Sequence, residues 1–136
     1  SDVAAMLGIA HTLIAEDLHD QEFLDRYTVG ADRLIDYITG ASDGVAKTAA
    51  WASEHCGVPA ESLVLVARRM AKSRTLICTA LGVQRAQFGE QPMWMTIALA
   101  ALLGQIGVPR SGFGLGYAQN ALVDWPCPDV KCANIS

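Results

Sequence analysis

The sequence predicts an α/β fold, mostly helical, with at least one buried strand near residues 75–79. Apolar residues recur at helical spacing in six segments, which argues for amphipathic helices. One run, RTLICTA, is rich in Thr, Leu, Ile and Cys and too short for a helix, so it reads as a strand. A lone buried strand leaves its amides unpaired. The strand is therefore expected to join a parallel sheet whose other strands lie elsewhere, which makes the sequence a piece of a larger α/β protein.

Each element has a local reason. Asp2 can cap a first helix whose inward face is Val3, Met6, Leu7, Ala10, Leu13, Ile14 and Leu18. Asp20 begins a short second helix carrying Phe23, Leu24 and Tyr27, and Gly30 ends it. ADRLIDYITG supplies a third with Leu34, Ile35 and Ile38 inward, and residues 40–47 form a turn-rich loop. Thr48 is an N-cap for TAAWASEHCG, which stops at Gly57 in the left-handed manner of glycine caps. Pro59, at a first helical position, starts PAESLVLVARRMAKS with Leu63, Val66, Ala67 and Met70 inward. After the strand come a polar loop over 80–91 and a long apolar helix from about Glu90 to Ile106. The remainder, 107–136, reads as coil punctuated by glycine and proline; a second strand hidden at GVPRSGFGLGY would weaken the reading of the chain as a piece of a larger sheet.

Composition narrows the function classes. A chain of 136 residues holds one domain, and a 51% hydrophobic share can fill a core and excludes intrinsic disorder. A net charge of −4 leaves no basic footprint for nucleic acid. Arg68, Arg69, Lys72 and Arg74 gather at the end of one helix, where they complement its dipole. No signal peptide is visible in SDVAAMLGIAH, and the run from Pro92 to Leu103 falls short of the roughly 20 apolar residues of a membrane span. Ser1 is no natural initiator and the text begins within a helical pattern, so a fragment or a processed chain is expected. Cys56 and Cys78 read as buried free thiols. Cys127 and Cys132 bracket PDVK without a second pair to complete a zinc site. Reduced thiols favour a cytoplasmic over a periplasmic setting.

The loop GVQRAQFGEQP, residues 82–92, is polar between two apolar elements. Ligands of open α/β sheets lie beyond the carboxyl ends of strands, where such loops lead into helices. Gly82 and Gly89 let the backbone approach a bound group. The Gln84 amide both donates and accepts, and Arg85 offers a planar fork for phosphate or carboxylate. Free N–H groups near Glu90 and Gln91 can meet an anion. The alternative is a solvated turn in which Glu90 favours the helix dipole. His11, His19 and His55 share no ligand spacing, and Gly112, Gly114 and Gly116 lack the strand-before, helix-after setting of a dinucleotide fingerprint.

The run GVQRAQFGEQPMWMTIALAALLGQIGVPRSGFGLGY resembles the molybdopterin oxidoreductases of the dimethyl sulfoxide reductase family, in particular the trimethylamine N-oxide and biotin sulfoxide reductase branch. That branch has a Gly-Trp pair, then Gln-Arg, then His-Gly-Glu-Gln, then an apolar helix ending Leu-Gly-Gln-Ile-Gly and a glycine-rich loop. DVAAMLGIAHTLIAEDLHDQEFLDRYTVGADRL and WASEHCGVPAESLVLVARRMAK are similar to it in order and spacing. The resemblance covers about residues 2–120, so 1–120 is expected to be a segment of a doubly wound molybdopterin-binding domain and 121–136 an irregular tail. It implies a bis(molybdopterin guanine dinucleotide) molybdenum cofactor and oxygen-atom transfer from S-oxides or N-oxides. It implies cofactor contacts at Gln84, through the backbone at Ala80, and along Arg85, Gly89, Glu90 and Gln91, with the loop 112–116 walling the cleft. Ala80-Leu81 replace Gly-Trp, which adds a Cβ at residue 80 and removes the aromatic wall of the Trp, and Phe88 replaces His. The serine that ligates molybdenum in this branch belongs to a segment upstream, so this chain alone is expected to be inactive and to need the remaining domains of a parent enzyme. Two other readings are a non-catalytic helical module that self-associates through 3–18 and 90–106, and a small redox protein using Cys127 and Cys132.

Overall fold

A computed structural model describes residues 1–116. The expected tail 121–136, with Cys127 and Cys132, lies outside them. All six helices form: α1 (Asp2–Ala15), α2 (Gln21–Tyr27), α3 (Ala31–Thr39), α4 (Ala49–Cys56), α5 (Ala60–Lys72) and α6 (Glu90–Leu102). Two strands, β1 (Leu76–Thr79) and β2 (Gly112–Leu115), complete the described residues.

Helix α1 is the centre of the core and packs against α3, α4, α5 and α6. Neighbours on several sides bury Ala4, Gly8, Ile9 and Thr12 besides the expected Leu7, Ala10 and Leu13, so it carries no clean polar face. At the crossing with α4, a Cβ added to Gly8 would sit 2.5 Å from the Ala52 Cβ. Two small residues thus set how closely these helices approach. Ser1 rather than Asp2 is the N-cap, and it makes no side-chain cap bond. The helix ends in a Schellman motif, with Leu18 N–H donating to Leu13 O at 2.8 Å and Asp17 at φ 53°.

The cap expectations at Asp20 and Thr48 hold: Asp20 Oδ1 accepts from Phe23 N–H at 2.9 Å and Thr48 Oγ1 from Trp51 N–H at 3.1 Å. Gly57 closes α4 at φ 74°. Gly30 opens α3 rather than ending α2, whose C-cap is Thr28. Pro59 is the N-cap of α5, one position before the expected N1. Val66 was expected inward but is exposed, because the stripe through Leu63, Ala67 and Met70 puts it at the edge. The loop 40–47 carries a buried Lys47, whose Nζ pairs with Asp43 Oδ2 at 2.7 Å, donates to the Tyr37 and Val45 carbonyls, and lies 4.2 Å from the Tyr37 ring centroid. Of the basic cluster, Arg69 and Lys72 sit in the last turn of α5, while Arg68 makes a bidentate pair with Glu16 at 2.8 Å.

The main correction concerns the second half. GFGL, expected as coil, is β2, parallel to β1 in the register Leu76–Gly112, Ile77–Phe113, Cys78–Gly114 and Thr79–Leu115. With α6 as crossover this makes a β1–α6–β2 unit, the building block of parallel sheets. Gly112 and Gly114 are the buried positions of β2, which packs on α6. Helix α6 stops at Leu102, short of the expected Ile106, because Gly104 at φ 63° closes a Schellman motif in which Gln105 N–H donates to Ala100 O at 3.1 Å. A Cβ at Gly104 would lie 2.7 Å from the Asp20 Cβ, so the end of α6 and the cap of α2 are fitted together.

The strand expected as buried is instead half-uncovered. Leu76 and Cys78 are exposed, Ile77 and Thr79 partly covered, with α6 and β2 as the main neighbours of the strand among the described residues. The expectation of a buried Cys78 thiol fails with it. The apolar faces of α1 and α6, offered above as surfaces for self-association, pack against each other within the chain.

Candidate functional site

The candidate site is the turn that leaves β1. Thr79 ends the strand, and its hydroxyl donates to Met93 Sδ on α6 at 3.2 Å. Ala80 is extended and exposed, and residues Leu81–Gln84 wind into a single 3₁₀ turn closed by Arg85 N–H on Gly82 O at 3.1 Å. Gly89 N–H donates to Ala86 O at 3.0 Å, and Phe88, at φ 61°, turns the chain into α6. A non-glycine residue at positive φ is strained and persists where its surroundings fix it.

Of the six residues singled out in sequence, five are exposed: Ala80, Gln84, Arg85, Glu90 and Gln91. The side chains of Gln84, Arg85, Gln87, Glu90 and Gln91 make no hydrogen bond or ion pair among the described residues. None caps α6, whose N-cap is Gly89 with no side-chain bond. The turn therefore presents free donors and acceptors at the carboxyl end of a parallel strand.

Gly89 differs from the sequence expectation. It is buried, and a Cβ there would meet Gln84 C at 2.5 Å and Gln84 Cα at 2.6 Å, with the Gln84 carbonyl oxygen closer still. Its missing side chain is used by the turn itself, so Gly89 sets the position of Gln84 and leaves no gap for a ligand. Gly82 keeps its free approach, with nothing within 4 Å of an added Cβ. The helix start also offers fewer donors than expected, since Gln91 N–H donates to Phe88 O at 3.0 Å and Pro92 has none.

An open concavity of about 530 Å³ separates the turn from the start of α1 and is lined in part by Val83, Gln87, Phe88 and Gln91. Gln84, Arg85 and Glu90 lie outside this lining. Gly116 N–H donates to Thr79 O at 2.9 Å, so the end of the glycine segment and the start of the turn share one end of the sheet. The groups with displaced pKa lie elsewhere. Burial lowers His11; the hydrogen bond from Lys47 holds Asp43 below its ordinary value, and that from Arg68 does the same for Glu16. No group of three or more His, Cys, Asp or Glu able to hold a metal, and no helix long and apolar enough to cross a membrane, occurs among the described residues.

Sequence reasoning missed Gln105. Its Oε1 accepts from Thr75 N–H at 2.6 Å and its Nε2 donates to Ser73 O at 2.9 Å, while Ser111 Oγ donates to Gln105 O at 3.0 Å. One amide thus ties the entry of β1 to the loop that leads into β2, and holds the sheet that carries the turn. Its place in the Leu-Gly-Gln-Ile-Gly motif was the only signal available.

The sequence matches known reductases. A dimethyl sulfoxide/trimethylamine N-oxide reductase of Cereibacter sphaeroides is 51% identical over 117 residues, covering 86% of this chain and 14% of the relative. A trimethylamine-N-oxide reductase of Haemophilus influenzae is 49% identical over 117 residues, again 86% of this chain and 14% of the relative. Trimethylamine-N-oxide reductase 1 of Escherichia coli is 48% identical over 120 residues, 88% of this chain and 14% of the relative. The chain thus spans about one seventh of the length of these relatives. The family model for molybdopterin oxidoreductases matches residues 1–126, and the chain belongs to that family.

Proposed function

We propose that this chain is a segment of a molybdenum-dependent reductase that removes oxygen from an S-oxide or N-oxide, and that its turn 80–91 forms one wall of the cofactor cleft. The family implies a molybdopterin cofactor; the form proposed is bis(molybdopterin guanine dinucleotide). When bound, its molybdenum supplies the two-electron oxygen-atom transfer.

The residues present fit such a group. The single observation that carries the reading is the set of uncommitted polar side chains, led by Gln84 and Arg85, at the open end of β1. Gln84 is proposed to read a pterin or guanine edge with its amide, which donates and accepts. Arg85 pairs with a phosphate through its guanidinium fork. Ala80 offers its backbone at the strand end, and Glu90 and Gln91 frame the start of α6. Gly89 acts through Gln84, as a positioning residue. The rest of the cleft comes from the remaining domains of the longer enzyme.

Exchange of this chain's residues for the matching 117 residues of the Cereibacter sphaeroides reductase tests the proposal. The chimera is expected to retain molybdenum and pterin and to reduce an S-oxide with a reduced viologen. Gln84→Ala with Arg85→Ala is expected to lower cofactor content at least tenfold. Full cofactor content in that folded double variant would overturn the assignment.

A further inference from the structure

We infer that the groove between α3 and α6 seats an amphipathic helix with a basic flank, supplied by a part of the longer polypeptide outside this chain. The inference rests on the reading of the chain as a segment of a larger enzyme.

Two adjoining concavities, of about 290 Å³ and about 370 Å³, share Leu34, Trp94 and Ala98. Their lining is dominated by apolar side chains, including Leu24, Ile97 and Leu102 in the first and Leu7 and Met95 in the second. Beyond its first turn α6 carries one polar residue, the buried Thr96, and among the described residues its outward side has no partner: Trp94 is 72% exposed. Val29, on the rim beside it, is wholly exposed. An indole at that exposure among other apolar groups marks an interaction surface rather than a solvated face.

Charge decides what fits. A third concavity, of about 420 Å³, shares Leu24, Thr28, Gly30 and Ala31 with the first and carries Asp25, Asp32 and Asp36. None of these carboxylates is in an ion pair among the described residues. Arg26, which could have balanced them, lies over the Tyr27 ring at 5.3 Å. An apolar groove with one acidic bank is complemented by a helix bearing an apolar stripe at i, i+3, i+4 and lysine or arginine beside it. A second copy of the chain fits poorly, because a two-fold interface sets each patch against itself and brings the acidic banks together. The source is the parent polypeptide, since relatives carry most of their length outside the matched segment.

The test uses the 136-residue chain, a synthetic leucine–lysine amphipathic helix as probe, and a leucine–glutamate peptide as control. The lysine peptide is expected to bind one-to-one, to shift the NMR signals of Val29, Leu34 and the Trp94 indole, and to bind at least tenfold more tightly than the glutamate peptide. Trp94→Ala, which removes an exposed side chain, is expected to weaken binding at least tenfold. Asp32→Asn with Asp36→Asn is expected to weaken it several-fold and flatten its salt dependence. Hydroxyl-radical footprinting of the chimera is expected to oxidise Trp94 at least tenfold more slowly than in the chain alone. Equal binding of both peptides, indifference to these variants, or a Trp94 equally reactive in the chimera would overturn the inference. So would a dimer of the chain, seen by sedimentation, that Trp94→Ala dissociates. No arm uses the cofactor, so failure here leaves the turn 80–91 untouched, and failure of the turn leaves these readouts intact.

Discussion

Gly89→Ala asks most of the turn for the least chemistry. The new Cβ would start 2.5 Å from Gln84 C and 2.6 Å from Gln84 Cα, where ordinary contact begins at 3.4 Å. Both obstacles are backbone, so no side chain can swing aside, and the turn must retreat by about 1 Å. Overpacking of this kind costs about 1–3 kcal/mol. The alanine recovers about 0.4–1 kcal/mol by restricting the unfolded chain. The net loss is about 1–2 kcal/mol, or a fall in Tm of roughly 3–8 °C for a chain of this size. Gly82→Ala is the control: in the same turn its Cβ meets nothing within 4 Å, and its stability should stay within about 0.5 kcal/mol of wild type. Urea and thermal unfolding of the 136-residue chain read both variants. In the cofactor-loaded chimera, Gly89→Ala should also lower pterin content, because Gln84 moves with the turn. Equal Tm values for Gly89→Ala and wild type, or equal losses in both variants, would refute the steric argument.

Other predictions follow from the same geometry. Gln105→Leu leaves Thr75 N–H without its partner and removes one of the donors to Ser73 O, and should cost about 1–3 kcal/mol, with faster amide exchange at Thr75 as the specific readout. Asp43 is held below its ordinary carboxyl value, first by the Lys47 hydrogen bond. Its depressed folded pKa therefore adds stability above the unfolded value, near 3.8, that is lost as pH falls through the folded one; Lys47→Met should flatten this acid limb in urea titrations. Glu16 behaves with the same sign through Arg68, so Arg68→Gln should flatten the limb further. Cys78 is exposed and Cys56 partly covered, so peptide mapping after brief native alkylation should show Cys78 labelled faster. The 136-residue chain expressed by itself should reduce no S-oxide with a viologen donor; measurable turnover would show that the segment carries its own metal site.

What was legible in the sequence was local. Asp20, Thr48 and Gly57 punctuate helices through bonds within a single turn, and each acts as its residue type predicts. The strand at 76–79 was legible from its β-branched run, and the loop after it from its polarity between two apolar elements. β2 was legible only as a possibility, because GFGL carries neither β-branched residues nor a polar alternation; at Gly112 a Cβ would sit 3.4 Å from Gln105 O in the turn that follows α6. The early stop of α6 comes from the left-handed cap at Gly104, a local signal masked by the apolar run that continues to Ile106, and the tie through Gln105 spans 30 residues to Thr75 and leaves no periodic trace. Within the site, exposure of Gln84 and Arg85 follows from their type and setting. The burial of Gly89 under Gln84 is a steric fact of the folded turn, and sequence alone gave it the opposite role, that of a gap left for a ligand.

We propose that the Gln84–Arg85 turn borders the molybdopterin group. A crystal structure of the cofactor-loaded chimera measures it directly. The Gln84 amide is expected within about 3 Å of a polar atom of the pterin nucleotide, with the Arg85 guanidinium facing a phosphate. A cofactor lying on another face, with the turn enclosed by protein on all sides, would contradict it.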